Sequence, residues 1–260
     1  MPAQPLQLLL LFAAAFAAGA INSVAGGGTL LTFPALLAVL GPMPNGAVFA
    51  NGTSTIALVP GSLSAFWGYR NELGGDRRGL WVMAGPSLLG GAVGAYFATH
   101  VPAALFSRLV PWLILAATFL FLIQDWVRRH IGQSDSGTGT GRLPLGAVVF
   151  QFFVAVYGGF FGAGIGILML AALGFLGQTN IHRMNALKNF AAVCINGVGA
   201  LTFILYRRVD WKLALLMAVA AVVGGWGGAG LARRVGQANV RRAVVVVGLG
   251  CGLYTLIHQI

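Results

Sequence analysis

Ten apolar runs follow one another with little between them, at about 6–24, 29–40, 46–69, 79–98, 103–126, 143–159, 164–176, 184–206, 211–232 and 241–257. A helix needs about 20 apolar residues to cross a bilayer, so this series leaves no length for a second, water-exposed domain. Charge points the same way. Only 8% of the 260 residues are charged, against roughly 25% in soluble domains, too few to coat a folded surface of this size. A water-soluble enzyme or DNA-binding domain is excluded. The net charge of +11 would ordinarily suggest nucleic acid. Here the basic residues sit in short clusters between apolar runs, the pattern that orients polytopic membrane proteins. The expected fold is an all-α integral membrane protein with one transmembrane domain, in contact with the lipid bilayer and without a nucleic-acid partner.

The stretch Gln133 to Arg142, rich in Gly, Ser and Thr, reads as a flexible linker near the middle of the chain. The flanking segments resemble each other. A shift of 136 residues lays 25–36 over 161–172, pairing Gly26 with Gly162 and Gly28 with Gly164. A shift of 134 then aligns 88–102 with 222–236. The organisation read from this is a first repeat over about 6–126, a linker over about 127–142 and a second repeat over about 143–260. Each repeat holds four to five helical segments, a common plan for secondary transporters. If every run is a crossing, Arg77, Arg78, Arg128, Arg129, Arg142, Arg183, Arg233, Arg234, Arg241 and Arg242 share one side, and the other holds mainly Arg108, Arg207, Arg208 and Lys212. The positive-inside rule then makes the halves inverted repeats, although Arg207 and Arg208 fall on the opposite side. An even number of crossings per half would make them parallel.

The second and seventh runs are only about 18–20 Å long as helices, short of the roughly 30 Å hydrocarbon core. Each follows a glycine-rich break, Gly26-Gly27-Gly28-Thr29 or Gly162-Ala163-Gly164-Ile165, as a glycine-broken or re-entrant helix would. A helix amino terminus exposes unpaired N–H groups and attracts anions. Non-helical backbone at membrane depth survives only when buried in protein or lining a cavity. The breaks therefore read as two facing cradles for a small anion, or as sites of close helix packing. Polar residues gather beside them: Asn22, Ser23 and Thr29, then Asn51, Thr53 and Ser54, and in the second half Lys188, Asn189 and Asn196. Intramembrane polar groups are functional candidates by default. Lys188, inside the eighth run, is either a counter-charge for an anion or a residue that snorkels to the headgroups with Arg183.

The five acids, Glu72, Asp76, Asp125, Asp135 and Asp210, all sit in loops or at run ends. No embedded carboxylate is available for Na⁺, Ca²⁺ or a proton relay. No catalytic set, metal-ligand spacing or cofactor motif appears, and the GAGIG string lacks the preceding strand of a dinucleotide loop. The expectation is a non-enzyme without cofactor or metal. Cys194 and Cys251 lie inside apolar runs and read as small hydrophobes. Five tryptophans, at 67, 81, 112, 126 and 211, fit an interfacial belt.

The segments AGAINSVAGGGTLLTFPALL (18–37), ANGTSTIALVPGSLSAFWGYR (50–70), GGFFGAGIGILMLAAL (158–173) and ALKNF (186–190) with NGVGAL (196–201) resemble the sulfite exporter TauE/SafE family of membrane permeases. The resemblance covers nearly the whole chain. It implies a permease for small sulfur-containing or organic anions, such as sulfite or sulfonates, in the cytoplasmic membrane. The resulting expectation is a multi-pass secondary transporter whose anion binds near the midplane, with alternating access by rocking of the halves. A non-transporting membrane scaffold and an anion channel are the alternatives.

Overall fold

The computed structural model describes residues 4–24, 27–41, 43–73, 77–131, 145–175, 180–235 and 237–258. Among them the regular elements are helices: α1 (Pro5–Val24), α2 (Thr29–Leu40), α3 (Gly46–Tyr69), α4 (Arg77–His100), α5 (Ala103–Ile131), α6 (Leu145–Phe160), α7 (Ile165–Phe175), α8 (Ile181–Leu205), α9 (Trp211–Val235) and α10 (Gln237–His258). A short 3-10 turn, Arg70–Leu73, extends α3. Each helix coincides with one of the ten apolar runs. α5 continues to Ile131, into the stretch expected to be linker, and residues 132–142 of that stretch lie outside the described residues.

Local chemistry explains several helix ends. Asn180 precedes α8 and its Oδ1 accepts from the N–H groups of His182 and Arg183, which is what an N-cap residue does for orphan donors. Asp210 does the same for α9, accepting from the Leu213 N–H. α2 and α7 have 12 and 11 residues, about 18 and 17 Å at 1.5 Å per residue. Neither can span the hydrocarbon alone. Among the described residues neither exposes a large apolar side chain, whereas α1, α4, α5, α9 and α10 each expose several. The two short helices are thus sheathed by the long ones, whose outer apolar faces suit lipid rather than water. Several helices are long and apolar enough to cross a membrane, among them Gly79–His100, Ala103–Ile123 and His182–Leu205. Trp67, Trp81, Trp126 and Trp211 are exposed near helix ends, while Trp112 is exposed well inside α5.

The helices pair in a pattern that survives exchange of α1–α5 with α6–α10. α1 lies on α9 as α6 lies on α4, α3 meets α9 as α8 meets α4, and α3 meets α8 while α5 meets α10. α3 and α8 run antiparallel. The Asp210 N–H, just past α8, donates to Thr53 Oγ1 near the start of α3, and the Phe66 ring near its end lies 5.4 Å from Phe190 near the start of α8.

Close approach is made by small residues, as expected where no hydrophobic effect drives helices together. A β-carbon at Gly94 of α4 would overlap the Val156 carbonyl of α6, and one at Gly90 would sit 2.7 Å from the Ala155 methyl. The matching seam on the other side brings Gly19 against Ala221 and Gly224 against Phe16. Replacing Gly94 with valine should therefore push α4 off α6 and cost about 1–3 kcal/mol. A lowered midpoint of thermal unfolding in detergent is the expected result.

Candidate functional site

The two glycine breaks are held by different chemistry. In the first, Asn22 of α1 turns its Oδ1 back onto the chain and accepts from the N–H groups of Gly27 (3.0 Å) and Gly28 (3.4 Å). Gly27 has φ +109°, and a β-carbon there would overlap the Phe121 ring of α5, so glycine is required. The Gly28 carbonyl accepts from the Leu31 and Thr32 N–H groups as α2 begins. Thr32 Oγ1 reaches the same carbonyl at 3.3 Å and lies 2.6 Å from Ser54 Oγ of α3.

In the second break the Tyr157 hydroxyl of α6 donates to the Ala163 carbonyl at 2.8 Å. The Tyr157 carbonyl accepts from the Phe161 and Gly162 N–H groups. Asn51 of α3 donates through Nδ2 to the Phe160 carbonyl at 2.8 Å, satisfying the end of α6 from the opposite half. Gly162 has φ +81° and Gly164 φ +75°. The breaks meet each other. A β-carbon at Gly162 would lie 3.7 Å from Thr29 Oγ1, and one at Gly27 3.5 Å from the Gly164 nitrogen. The Phe33 and Phe161 rings stack edge to face at 5.0 Å beside them.

A cavity of about 20 Å³ opens where the breaks meet. It is on the scale of water or an ion of a few atoms, far below the pocket of a bulky organic ligand. Its polar lining is Asn22, Thr29, Ser62, Lys188, Asn189 and Asn196, with Gly27, Gly162 and Gly166 at the breaks. Leu58, Ala65, Ile165, Met169 and Ala192 supply the apolar wall. Lys188 is 1% exposed and Asn189 3%. Lys188 therefore faces the interior and does not snorkel. Asn196 Nδ2 donates to Ser62 Oγ at 3.1 Å, and Ser62 Oγ to the Leu58 carbonyl. Asn189 Nδ2 is buried with no hydrogen-bond partner among the described residues. No acidic residue is among the described residues that line the cavity, and no group of His, Cys, Asp and Glu among them is placed to hold a metal.

Of the residues singled out in the sequence, the fold brings Asn22, Gly27, Thr29, Gly162, Lys188, Asn189 and Asn196 to this cavity. It does not bring Asn51, Thr53 and Ser54. All three are buried, but Asn51 holds α6, Thr53 receives the Asp210 N–H and Ser54 pairs with Thr32. The cavity face of α3 is Leu58, Ser62 and Ala65, spaced i, i+4, i+7. Asn51 belongs to the same stripe but sits about 10 Å nearer the start of α3 at 1.5 Å per residue. Gly28 and Gly164 shape the breaks without lining the cavity. Gly26 and the side chain of Ser23 lie outside the described residues. Ser62 was a detectable signal, being a hydroxyl on an otherwise small and apolar stripe. Leu58, Ala65, Met169 and Ala192 carried none.

The profile of the family described as sulfite exporter TauE/SafE matches residues 11–255. A Haemophilus influenzae protein named as a probable membrane transporter protein is 31% identical over 247 residues, covering 92% of this chain and 91% of that protein. The Escherichia coli K12 probable membrane transporter protein YfcA is 30% identical over 245 residues, covering 94% and 87%. A Sinorhizobium protein, probable membrane transporter protein ORF9, is 28% identical over 250 residues, covering 96% and 92%. No solved structure matches the chain.

The first break depends on one side chain for two backbone donors. Asn22→Ala should cost about 1 kcal/mol, the typical loss when a capping residue becomes alanine. The measurement is the unfolding midpoint of the purified protein without added anion, which should fall. An unchanged midpoint would mean other groups satisfy Gly27 and Gly28.

Proposed function

The chain belongs to the sulfite exporter TauE/SafE family of membrane transporters, and from that premise we propose that it is a secondary transporter of small sulfur-containing or organic anions, such as sulfite or a sulfonate. It works by alternating access in the cytoplasmic membrane and is not an enzyme. The observation that carries the reading is a buried lysine in a small cavity between two glycine-broken helices, with no acid in the lining. A cation inside a membrane protein costs several kcal/mol unless something opposes it. Helix amino termini and a lysine share one electrostatic preference, which is for negative charge.

The geometry also supports the transport mode. α3 and α8 hold equivalent places in the helix pairing and run antiparallel, as inverted repeats would place them. Rocking α1–α5 against α6–α10 would open the cavity alternately to the two sides of the membrane.

In proteoliposomes, Lys188→Ala should lower the uptake of sulfite or methanesulfonate at least tenfold, the equivalent of about 1.5 kcal/mol for a lost charge-assisted contact. A folded variant with wild-type uptake would remove Lys188 from the site. Failure of the unmodified protein to move any small oxyanion would favour the scaffold.

A further inference from the structure

The two breaks are alike in sequence but unlike in what they leave open. At three pairs of positions related by 136 residues the halves differ: the first half has its polar group engaged or holds a glycine, and at two of the three the second half sets a polar side chain against the cavity. Asn22 occupies the Gly27 and Gly28 N–H groups, while its counterpart is Gly158, which has no side chain with which to cap. Thr53 is engaged by the Asp210 N–H, while its counterpart Asn189 lines the cavity with its Nδ2 unpartnered. Gly52 packs against the Arg208 carbonyl and the Phe203 ring, while its counterpart Lys188 lines the cavity.

The helix starts differ in the same direction. In α2 the N–H groups of Leu30, Leu31 and Thr32 all find carbonyls in the break before them. In α7 the Ile167 N–H bonds to the Gly164 carbonyl as Leu31 does to Gly28, and the Ile165 N–H, like that of its counterpart Thr29, meets no backbone acceptor among the described residues; the difference is Gly166, which lacks the carbonyl partner that its counterpart Leu30 has. Ile165 and Gly166 both line the cavity. Buried donors without a protein acceptor need a ligand or water, or cost desolvation energy.

We propose that the second half alone grips the substrate, an oxyanion whose oxygens accept from the α7 amino-terminal amides and from Asn189 Nδ2, while the first half closes over it as a wall. Lys188 supplies the counter-charge from the same half. The inference rests on the anion-transport reading and deepens it, because the oxyanion stays with α7 and α8 while α1–α5 move away. Several separate donors suit an ion with several acceptor atoms, so sulfite or methanesulfonate should bind and chloride should not.

The test is thermal unfolding of the purified full chain in detergent, titrated with sulfite, methanesulfonate and chloride. An ion that binds the folded state raises the midpoint. The unmodified protein should respond to both oxyanions and not to chloride. Asn189→Ala should need roughly tenfold more oxyanion for the same rise. Its midpoint without anion should stay level or increase, because the lost amide has no partner to miss. A residue with a purely structural role would show the opposite split. If alanine prevents folding, Asn189→Thr installs the first half's residue and should show the same loss of response. A wild-type response from either folded variant overturns the inference and leaves anion transport standing. No response from the unmodified protein to either oxyanion overturns both.

Discussion

A backbone that stops being helical inside hydrocarbon must find partners for its N–H and C=O groups within the protein. This chain does so twice, and much of the architecture serves that need. Asn22, Tyr157 and Asn51 each commit a side chain to a break. Asn51 does so across halves, tying the end of α6 to α3. The long helices then sheathe the two short ones and present their apolar faces outward. Glycine seams between α4 and α6, and between α1 and α9, bring backbones into contact so that the enclosure can close.

Within that enclosure lie the groups on which the proposed anion site depends. Lys188 is held at 1% exposure, in surroundings where placing a charge costs at least about 2.5–3.5 kcal/mol. Asn189 adds an amide whose donor is unsatisfied, a further cost of about 1–3 kcal/mol. Such expenses are typical of sites that trade stability for function.

Much of the fold was legible without coordinates. Apolar run length located the helices among the described residues, and the glycine-rich strings located both breaks, because these features depend on residues close together in the chain. The short second and seventh runs already implied helices unable to span alone. Polarity in an apolar run marked Lys188, Asn189 and Asn196 for the same local reason. The same rule also drew in Asn51, Thr53 and Ser54. Nothing local distinguishes a polar residue that meets a cavity from one that satisfies a neighbouring helix.

What the sequence by itself determined was therefore an inventory: helical segments long and short, two interruptions, a lysine where charge is costly, and no acid beside it. Tertiary structure decided how the inventory is used. It brought the breaks face to face, selected Leu58, Ser62 and Ala65 as the cavity face of α3, and engaged Asn22 with its own backbone while leaving Asn189 open. The physical reason is that a helix fixes the relative angles of its own side chains but neither its rotation nor its axial offset. Those two quantities come from packing against segments more than a hundred residues away.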